Sequence, residues 1–120
     1  MTNAIGVDII ENHRIELAIQ KHGSRFLNRV FTSQELQYCK GRIPSLAVRW
    51  AAKESVGKAF GTGISGISFT DIEVVCDEHG KPFIVLHGNA KRLASEKGFN
   101  TVHVSLSHTR ETSIAFVVID

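Results

Sequence analysis

A chain of 120 residues fits one domain, so residues 1–120 are expected to form a single unit. Its hydrophobic fraction of 42% and charged fraction of 22% are ordinary for a globular protein, and a net charge of +2 is too small to indicate nucleic-acid binding. No apolar run approaches the ~18 residues that cross a bilayer, and no secretory signal is visible, so the cytoplasm is the expected location.

The start of the chain predicts one strand followed by helices. The apolar run AIGVDII, from Ala4 to Ile10, is interrupted by Gly6 and Asp8 and indicates a buried strand. A helix is expected from about Asn12 to Gly23, and the segment SRFLNRVF continues as a further helix.

Two more helices are predicted next. In TSQE, Thr32 lies three residues before Glu35, which is the spacing of a capping box at the start of a short helix. The segment GRIPS indicates a turn, and a helix is then predicted from Arg49 to Phe60, ending at Gly61.

The second half of the chain predicts a hairpin, one helix and two strands. Apolar segments on either side of DEHGK form the hairpin, and Asn89 can cap a helix that runs to Lys97. TVHVSLS alternates apolar and polar side chains, and the apolar strand SIAFVVI follows it. Strands and helices do not alternate regularly, which favours an α+β fold, with a largely antiparallel sheet and helices packed on one side.

Three charged residues stand out from this pattern. Glu54 and Lys58 lie one turn apart on the predicted helix, and an exposed pair of this kind contributes only ~0.2–0.5 kcal/mol. Asp8 either caps a nearby helix or has a more specific role, because a carboxylate inside an apolar strand is costly to bury unless it is paired or binds a metal. Carboxylates suit Mg²⁺, which one or two of them often hold together with substrate phosphates. Lys58 would then contact a phosphate, and the loop GTGISG, which contains Gly63, would let backbone approach it.

Motifs of the commoner catalytic classes are missing. The sequence has no GxSxG elbow, no Walker-type phosphate loop and no GxGxxG fingerprint. Cys39 and Cys76 show no metal-ligand spacing, and both are expected to be reduced and structural.

Four motifs occur in a fixed order along the chain: GVDIIENHRI, RWAAKESVGKAFGTGI, GKP and VSLSHT. Together they closely resemble the short bacterial type of 4'-phosphopantetheinyl transferase, the holo-[acyl-carrier-protein] synthases. The resemblance covers nearly the whole chain and implies the fold of that family. Trp50 stands where many relatives have Phe, which is also aromatic, and no catalytic position is missing.

The resemblance implies an activity and a set of roles. Such enzymes move the phosphopantetheine arm of coenzyme A onto a serine of an apo acyl carrier protein and release adenosine 3',5'-bisphosphate. Asp8 and Glu54 would hold Mg²⁺ against the coenzyme diphosphate, and Lys58 would add a second positive contact. Further coenzyme contacts are implied for Arg49, Gly63, His108 and Thr109. The general base stays open between a water on the metal and one of the carboxylates.

A basic stripe suggests where the carrier protein docks. Arg14, Lys21 and Arg25 fall at i, i+7 and i+11, on one stripe if the helical path continues past Gly23, and apolar Phe26 lies beside them. The stripe is either a solvated surface or a complement to the acidic carrier protein.

The strand SIAFVVI indicates an oligomer. Ile114, Phe116 and Val118 point to one face and the alternate residues, also apolar, to the other, so one apolar face lacks cover within a small domain. Either a helix of the same chain covers it or a subunit interface does. The resemblance implies a trimer with active sites near the subunit junctions.

Two other classes of function could use parts of the same pattern. A metal-dependent nuclease could use an acid followed by a Glu/Lys pair, although nucleases usually place that pair two apart on a strand. A non-enzymatic module that binds acidic proteins would explain the basic stripe but not Asp8.

Overall fold

The computed structural model describes all 120 residues. No helix in it is both long enough and apolar enough to span a membrane. A single turn of 3-10 helix at Phe69–Asp71 precedes the hairpin. The helices and strands, in chain order, are β1 (Ala4–Glu11), α1 (Asn12–His22), α2 (Ser24–Val30), α3 (Ser33–Cys39), α4 (Ile43–Phe60), β2 (Ile72–Cys76), β3 (Pro82–Leu86), α5 (Gly88–Glu96), β4 (Val102–His108) and β5 (Thr112–Ile119).

The strands form two antiparallel sheets. One sheet has the order β1-β5-β4, and the other is the β2–β3 hairpin. In the larger sheet Asp8 lies opposite Ala115, and Ala115 lies opposite Leu106. Helix α4 packs on β1 and β5 and covers one face of this sheet. The predicted α+β fold, with antiparallel strands and helices on one side, is confirmed.

The other face of the three-stranded sheet has no helix on it. Its apolar side chains stay exposed in the single chain, namely Ile5, Val7, Ile9, Ile114 and Phe116. The prediction of a buried β1 was therefore half wrong, because only alternate residues of this strand point into the core. The alternation predicted for β5 is confirmed, since Ala115, Val117 and Ile119 are fully buried.

Helix α4 is longer and more deeply buried than the sequence indicated. It begins at Ile43, six residues before Arg49, because Pro44 is compatible with the first turn of a helix. The predicted turn at GRIPS was therefore wrong in its second half. Most of the helix surface is covered, including the charged side chains of Arg49 and Lys53, so α4 is the central element of the core.

Several local predictions have clear outcomes. The capping box of Thr32 and Glu35 is confirmed, with both reciprocal hydrogen bonds present. The hairpin is also confirmed, and Gly80 lies in its turn with a φ of 82°. Asn89 is not the cap of α5, since the helix begins one residue earlier and His87 occupies the N-cap position.

Candidate functional site

The first group of polar side chains lies where β1 crosses α4. Lys58 Nζ donates hydrogen bonds to Asp8 Oδ1 at 2.8 Å and to the Val7 carbonyl oxygen at 3.1 Å. A Cβ atom on Gly6 would lie only 2.0 Å from the Ser55 carbonyl oxygen. Glycine at this position therefore allows the strand to contact the helix backbone directly, which carries Asp8 to the charged side chains of α4.

Glu54 is the third member of this group. Burial raises the pKa of the Glu54 carboxyl above its ordinary value, and the nearby Asp8 carboxylate raises it further, while Lys58 partly opposes the change. Glu54 makes no hydrogen bond or ion pair within the chain, whereas Asp8 is paired with Lys58. The group therefore holds two neighbouring carboxylates and only one ammonium to balance them.

This donor set fits Mg²⁺. Hard cations of this type prefer oxygen ligands, and Mg²⁺ usually retains waters and binds one or two carboxylates plus substrate phosphates. The chain has no cluster of three His, Cys, Asp or Glu side chains that could enclose a metal without help. Asp8 and Glu54 could therefore hold a magnesium ion whose remaining ligands come from a phosphate group and water.

The glycine-rich loop folds back onto the end of α4. Gly63 N donates a hydrogen bond to the Gly57 carbonyl oxygen at 3.0 Å, and a Cβ atom on Gly57 would lie 2.7 Å from the Gly63 carbonyl group. Gly63 also has a φ of 62°, which favours glycine. The loop consequently lies against the turn of α4 that carries Lys58.

A second group surrounds an open cavity of about 530 Å³ near the start of α4. Arg49 and His108 line it, together with Tyr38, Arg42, Pro44, Ser45, Val48, Cys76, Gly80, Pro82 and Leu106. This cavity therefore contains two of the residues for which the family resemblance implies coenzyme binding.

Arg49 is held firmly in this cavity. Its Nη1 donates hydrogen bonds to the Ser45 carbonyl oxygen and to Ser45 Oγ, both at 3.0 Å. Its guanidinium carbon lies 4.6 Å from the centre of the Tyr38 ring. Arg49 is 4% exposed, and its Nε has no hydrogen-bond partner. A buried donor without a partner is costly, and a bound anion would remove that cost.

Thr109 follows His108 in the turn between β4 and β5. Its Oγ1 accepts hydrogen bonds from the backbone N–H groups of Glu111 and Thr112 at 3.2 and 3.1 Å. Asn12, which the sequence reasoning missed, is buried and donates to the carbonyl oxygens of Thr109 and Arg110. The turn that presents His108 is therefore anchored to the start of α1.

The two groups lie on opposite flanks of α4. Asp8 is on β1 and His108 is on β4, with β5 between them, and two strand spacings amount to about 10 Å. Arg49 and Glu54 are five residues apart on α4, which places their side chains about 140° apart around the helix axis. One chain therefore brings together Asp8, Glu54 and Lys58, and separately Arg49 and His108, but it does not join the two groups.

The predicted basic stripe is not one continuous helix. Gly23, with φ 56° and ψ −132°, ends α1, so Arg14 and Lys21 lie on α1 while Arg25 and Phe26 lie on α2. The condition for a single stripe, a helical path that continues past Gly23, is therefore not met, because glycine takes a backbone conformation that stops the helix where the sequence predicted its end. His22, Arg25, Phe26 and Arg29 nevertheless line a small surface cavity of about 190 Å³. Phe26 also stacks on Trp50 with ring centres 6.0 Å apart.

A buried ion pair that the sequence did not reveal lies beside the first group. Lys53 Nζ lies 2.8 Å from Glu35 Oε1, and neither side chain is exposed. The capping box located Glu35, but no pattern in the sequence identified Lys53 as its partner.

Comparison with known proteins was consistent at every level. Residues 4–117 match the family model of the 4'-phosphopantetheinyl transferase superfamily. A holo-[acyl-carrier-protein] synthase of Halothermothrix orenii is 49% identical, over 98% of this chain and 97% of that protein. One of Herpetosiphon aurantiacus is 46% identical, over 94% of each chain.

Solved structures agree with these sequence matches. The holo-[acyl-carrier-protein] synthase of Neisseria meningitidis has a TM-score of 0.92 and 37% identity, covering 100% of this chain and 99% of that one. The enzyme of Helicobacter pylori, solved in complex with coenzyme A, has a TM-score of 0.89 and 32% identity, covering 97% and 99%.

Proposed function

The chain belongs to the 4'-phosphopantetheinyl transferase superfamily, and from this membership we infer that it acts as a holo-[acyl-carrier-protein] synthase. It transfers 4'-phosphopantetheine from coenzyme A to a serine of apo acyl carrier protein and releases adenosine 3',5'-bisphosphate. The likeness over nearly the whole chain carries this conclusion. We propose that residues 1–120 are one catalytic domain and that it works in the cytoplasm.

The first group of side chains suits the diphosphate of coenzyme A. We propose that Asp8 and Glu54 hold Mg²⁺ there, supported by the unpaired Glu54 carboxylate next to Asp8. When bound, the ion would neutralise the charge that develops on the leaving phosphate. The Lys58 side chain is 54% exposed, so its ammonium group can contact a diphosphate oxygen as well as Asp8. The attacked hydroxyl belongs to the carrier protein, so the site needs no nucleophile from this chain.

The cavity at the start of α4 suits the other phosphate of the coenzyme. We propose that Arg49 and His108 bind the 3'-phosphate, because the orphaned Nε of Arg49 gains a charge-assisted hydrogen bond from it. Thr109, next to His108, and Gly63, beside the turn that carries Lys58, are proposed as further coenzyme contacts.

We propose that the protein is a homotrimer with its active sites at the subunit junctions. The uncovered apolar face of the β1-β5-β4 sheet is the kind of surface that a closed oligomer buries. The two groups on opposite flanks of α4 support sites shared between neighbouring copies, because one coenzyme could contact one group from each chain. The number three rests on the family resemblance.

Shared sites can be tested by mixing inactive variants. Asp8→Asn disables the first group and His108→Ala the second, so each homotrimer is expected to be inactive. Mixed trimers would restore part of the activity, because some junctions combine both intact groups. Activity in either homotrimer would show that its altered group is not needed. Mixed trimers that stay inactive after verified subunit exchange would contradict a site shared between chains.

The basic residues suit an acidic partner. We propose that Arg14, Lys21 and Arg25 attract the acyl carrier protein and that Phe26 provides an apolar contact at the surface cavity of α2. Because Gly23 separates α1 from α2, the basic residues form two short surfaces, one on each helix, in place of one continuous stripe.

Product analysis distinguishes the proposed reaction from its rivals. With coenzyme A and Mg²⁺, adenosine 3',5'-bisphosphate should appear on a liquid chromatogram only when apo carrier protein is added. Cleavage of DNA with Mg²⁺ and no release of the bisphosphate would favour a nuclease. Tight binding of an acidic protein without any product would favour a binding module.

A further inference from the structure

A buried polar network surrounds Lys53, the residue directly before Glu54. Lys53 Nζ donates to Glu35 Oε1 at 2.8 Å, to the Phe69 carbonyl oxygen at 3.0 Å, and to the Ile72 carbonyl oxygen. An ammonium group has three N–H donors, so all of them are used. The Lys53 side chain is fully buried, and none of its atoms contributes to the surface on which substrates would bind.

Glu35 completes the network from the other side. Its Oε2 accepts a hydrogen bond from Val74 N at 2.8 Å, and its Oε1 also accepts one from Thr32 N at 2.9 Å. The pair therefore ties α4 to the start of α3, to β2 and to the 3-10 turn before it. Buried ion pairs are poor sources of stability, since apolar side chains of similar size often serve as well. A positional role accounts for the pair better than a contribution to stability does.

The residue on the other side of Glu54 is fixed in a similar way. Ser55 Oγ donates to the Ala115 carbonyl oxygen at 3.1 Å and to the Ala51 carbonyl oxygen at 2.7 Å, and Ser55 is fully buried. The two neighbours of Glu54 are thus attached to different parts of the fold, Lys53 to the hairpin side and Ser55 to the large sheet. Together they fix the rotation of α4 about its axis.

We propose that Lys53 and Glu35 are positioning residues that set the rotation of α4 and thereby hold the Glu54 carboxylate beside Asp8 for metal binding. This inference rests on the proposed metal site. Loss of the pair lets α4 turn or shift slightly, which separates the two carboxylates. Residues that hydrogen-bond to metal ligands and orient them typically affect metal affinity by about 10–100-fold. Lys53 and Glu35 act through the helix instead, so an effect near the lower end of that range is expected.

The test replaces the pair with apolar side chains and measures metal binding directly. In the double variant Lys53→Met/Glu35→Leu no buried charge is left alone, so the protein should fold and melt cooperatively. Mn²⁺ serves as the probe, titrated into the protein–coenzyme A complex and followed by electron paramagnetic resonance. We expect the Mn²⁺ affinity to fall about tenfold or more, with coenzyme A affinity within about twofold of the wild type. The Mg²⁺ concentration for half-maximal turnover should rise in parallel.

Three further variants separate the possible outcomes. Ile119→Val lowers stability in a distant part of the core, so its Mn²⁺ affinity should match the wild type. Glu35→Gln keeps the side-chain shape but removes the charge, so it provides a second test if the double variant does not fold, and it should also weaken Mn²⁺ binding relative to the wild type. The positioning role would be overturned if a folded Lys53→Met/Glu35→Leu or a folded Glu35→Gln bound Mn²⁺ with wild-type affinity. Glu54→Gln tests the proposed metal site itself. If this variant binds Mn²⁺ with wild-type affinity, Glu54 is not a metal ligand, whereas the proposed transfer activity is judged by the separate assay of products.

Discussion

Replacing Gly6 with alanine should damage stability and activity together. The new Cβ atom would lie 2.0 Å from the Ser55 carbonyl oxygen and 3.0 Å from Ala59 N, whereas ordinary contacts begin at 3.4 Å. Both neighbours are backbone atoms of α4 and cannot rotate away, so β1 must move off the helix by about 1.4 Å. Overpacking of this kind costs about 1–3 kcal/mol. In a chain of this length that lowers the melting temperature by roughly 3–15 °C.

The same displacement reaches the proposed metal site. Asp8 lies two residues after Gly6 on the same strand face, so it moves away from Glu54 and Lys58. A misplacement of about 1 Å at a reacting centre can cost about 100-fold in rate. We therefore expect turnover by Gly6→Ala to fall about 100-fold, measured from carrier-protein modification at 25 °C, where the variant is still folded.

A second glycine provides the control. Gly98 has a φ of 73° and open space around its Cβ position, so Gly98→Ala introduces backbone strain of about 1–2 kcal/mol without displacing β1. It should lose comparable stability and keep its turnover. Wild-type stability and turnover in Gly6→Ala would refute the reasoning, and equal losses of turnover in both variants would show that activity follows stability alone.

Three further predictions concern the proposed metal site, the proposed carrier-protein surface and the proposed oligomer. Glu54→Gln should lose nearly all transfer yet melt at a higher temperature at pH 7 without metal. Because folding raises the pKa of Glu54, ionisation of this carboxyl destabilises the folded state as the pH rises through that pKa. The uncharged amide of glutamine removes this cost, so an unchanged or lower melting temperature would contradict the prediction. Arg25→Glu should slow association with the carrier protein, measured by stopped flow at low salt, while its affinity for coenzyme A stays the same. Lys97→Glu, at the C-cap of α5, makes the same change of charge elsewhere and serves as the control. Phe116→Asp places a charge on the exposed apolar face, so it should be a monomer in analytical ultracentrifugation and should have low activity. For the wild type, a fully active monomer would reject the oligomer, and a stable dimer would reject the trimer alone.

The sequence predicted the elements whose local signals agree with their surroundings. The capping box at Thr32, the hairpin turn at Gly80 and the alternation in β5 are each determined by a few neighbouring residues. Errors arose where the local signal was ambiguous. Pro44 can end a turn or begin a helix, and Asn89 already lies inside α5, two residues after the N-cap residue His87.

The sequence predicted only part of the candidate site, and the reason is physical. The close approach of β1 to α4 brings Asp8 to Lys58, as the pattern of a carboxylate in an apolar strand suggested. Spacing along one helix could not show that Arg49 lies on the opposite flank from Glu54, because that depends on which elements cover each side. Lys53 was missed for a related reason. Its partner Glu35 comes from a different helix 18 residues away, and only the packing of α3 and β2 on α4 brings the two together.

Intact-protein mass spectrometry of the carrier protein tests the central claim most directly. Apo acyl carrier protein is incubated with coenzyme A, Mg²⁺ and the wild-type protein, beside a parallel sample that contains Glu54→Gln. The wild type should add the mass of one phosphopantetheine group to the carrier protein, on its serine, and the variant should add almost none. A carrier protein of unchanged mass in the wild-type sample, with folded enzyme and both substrates present, would contradict the account.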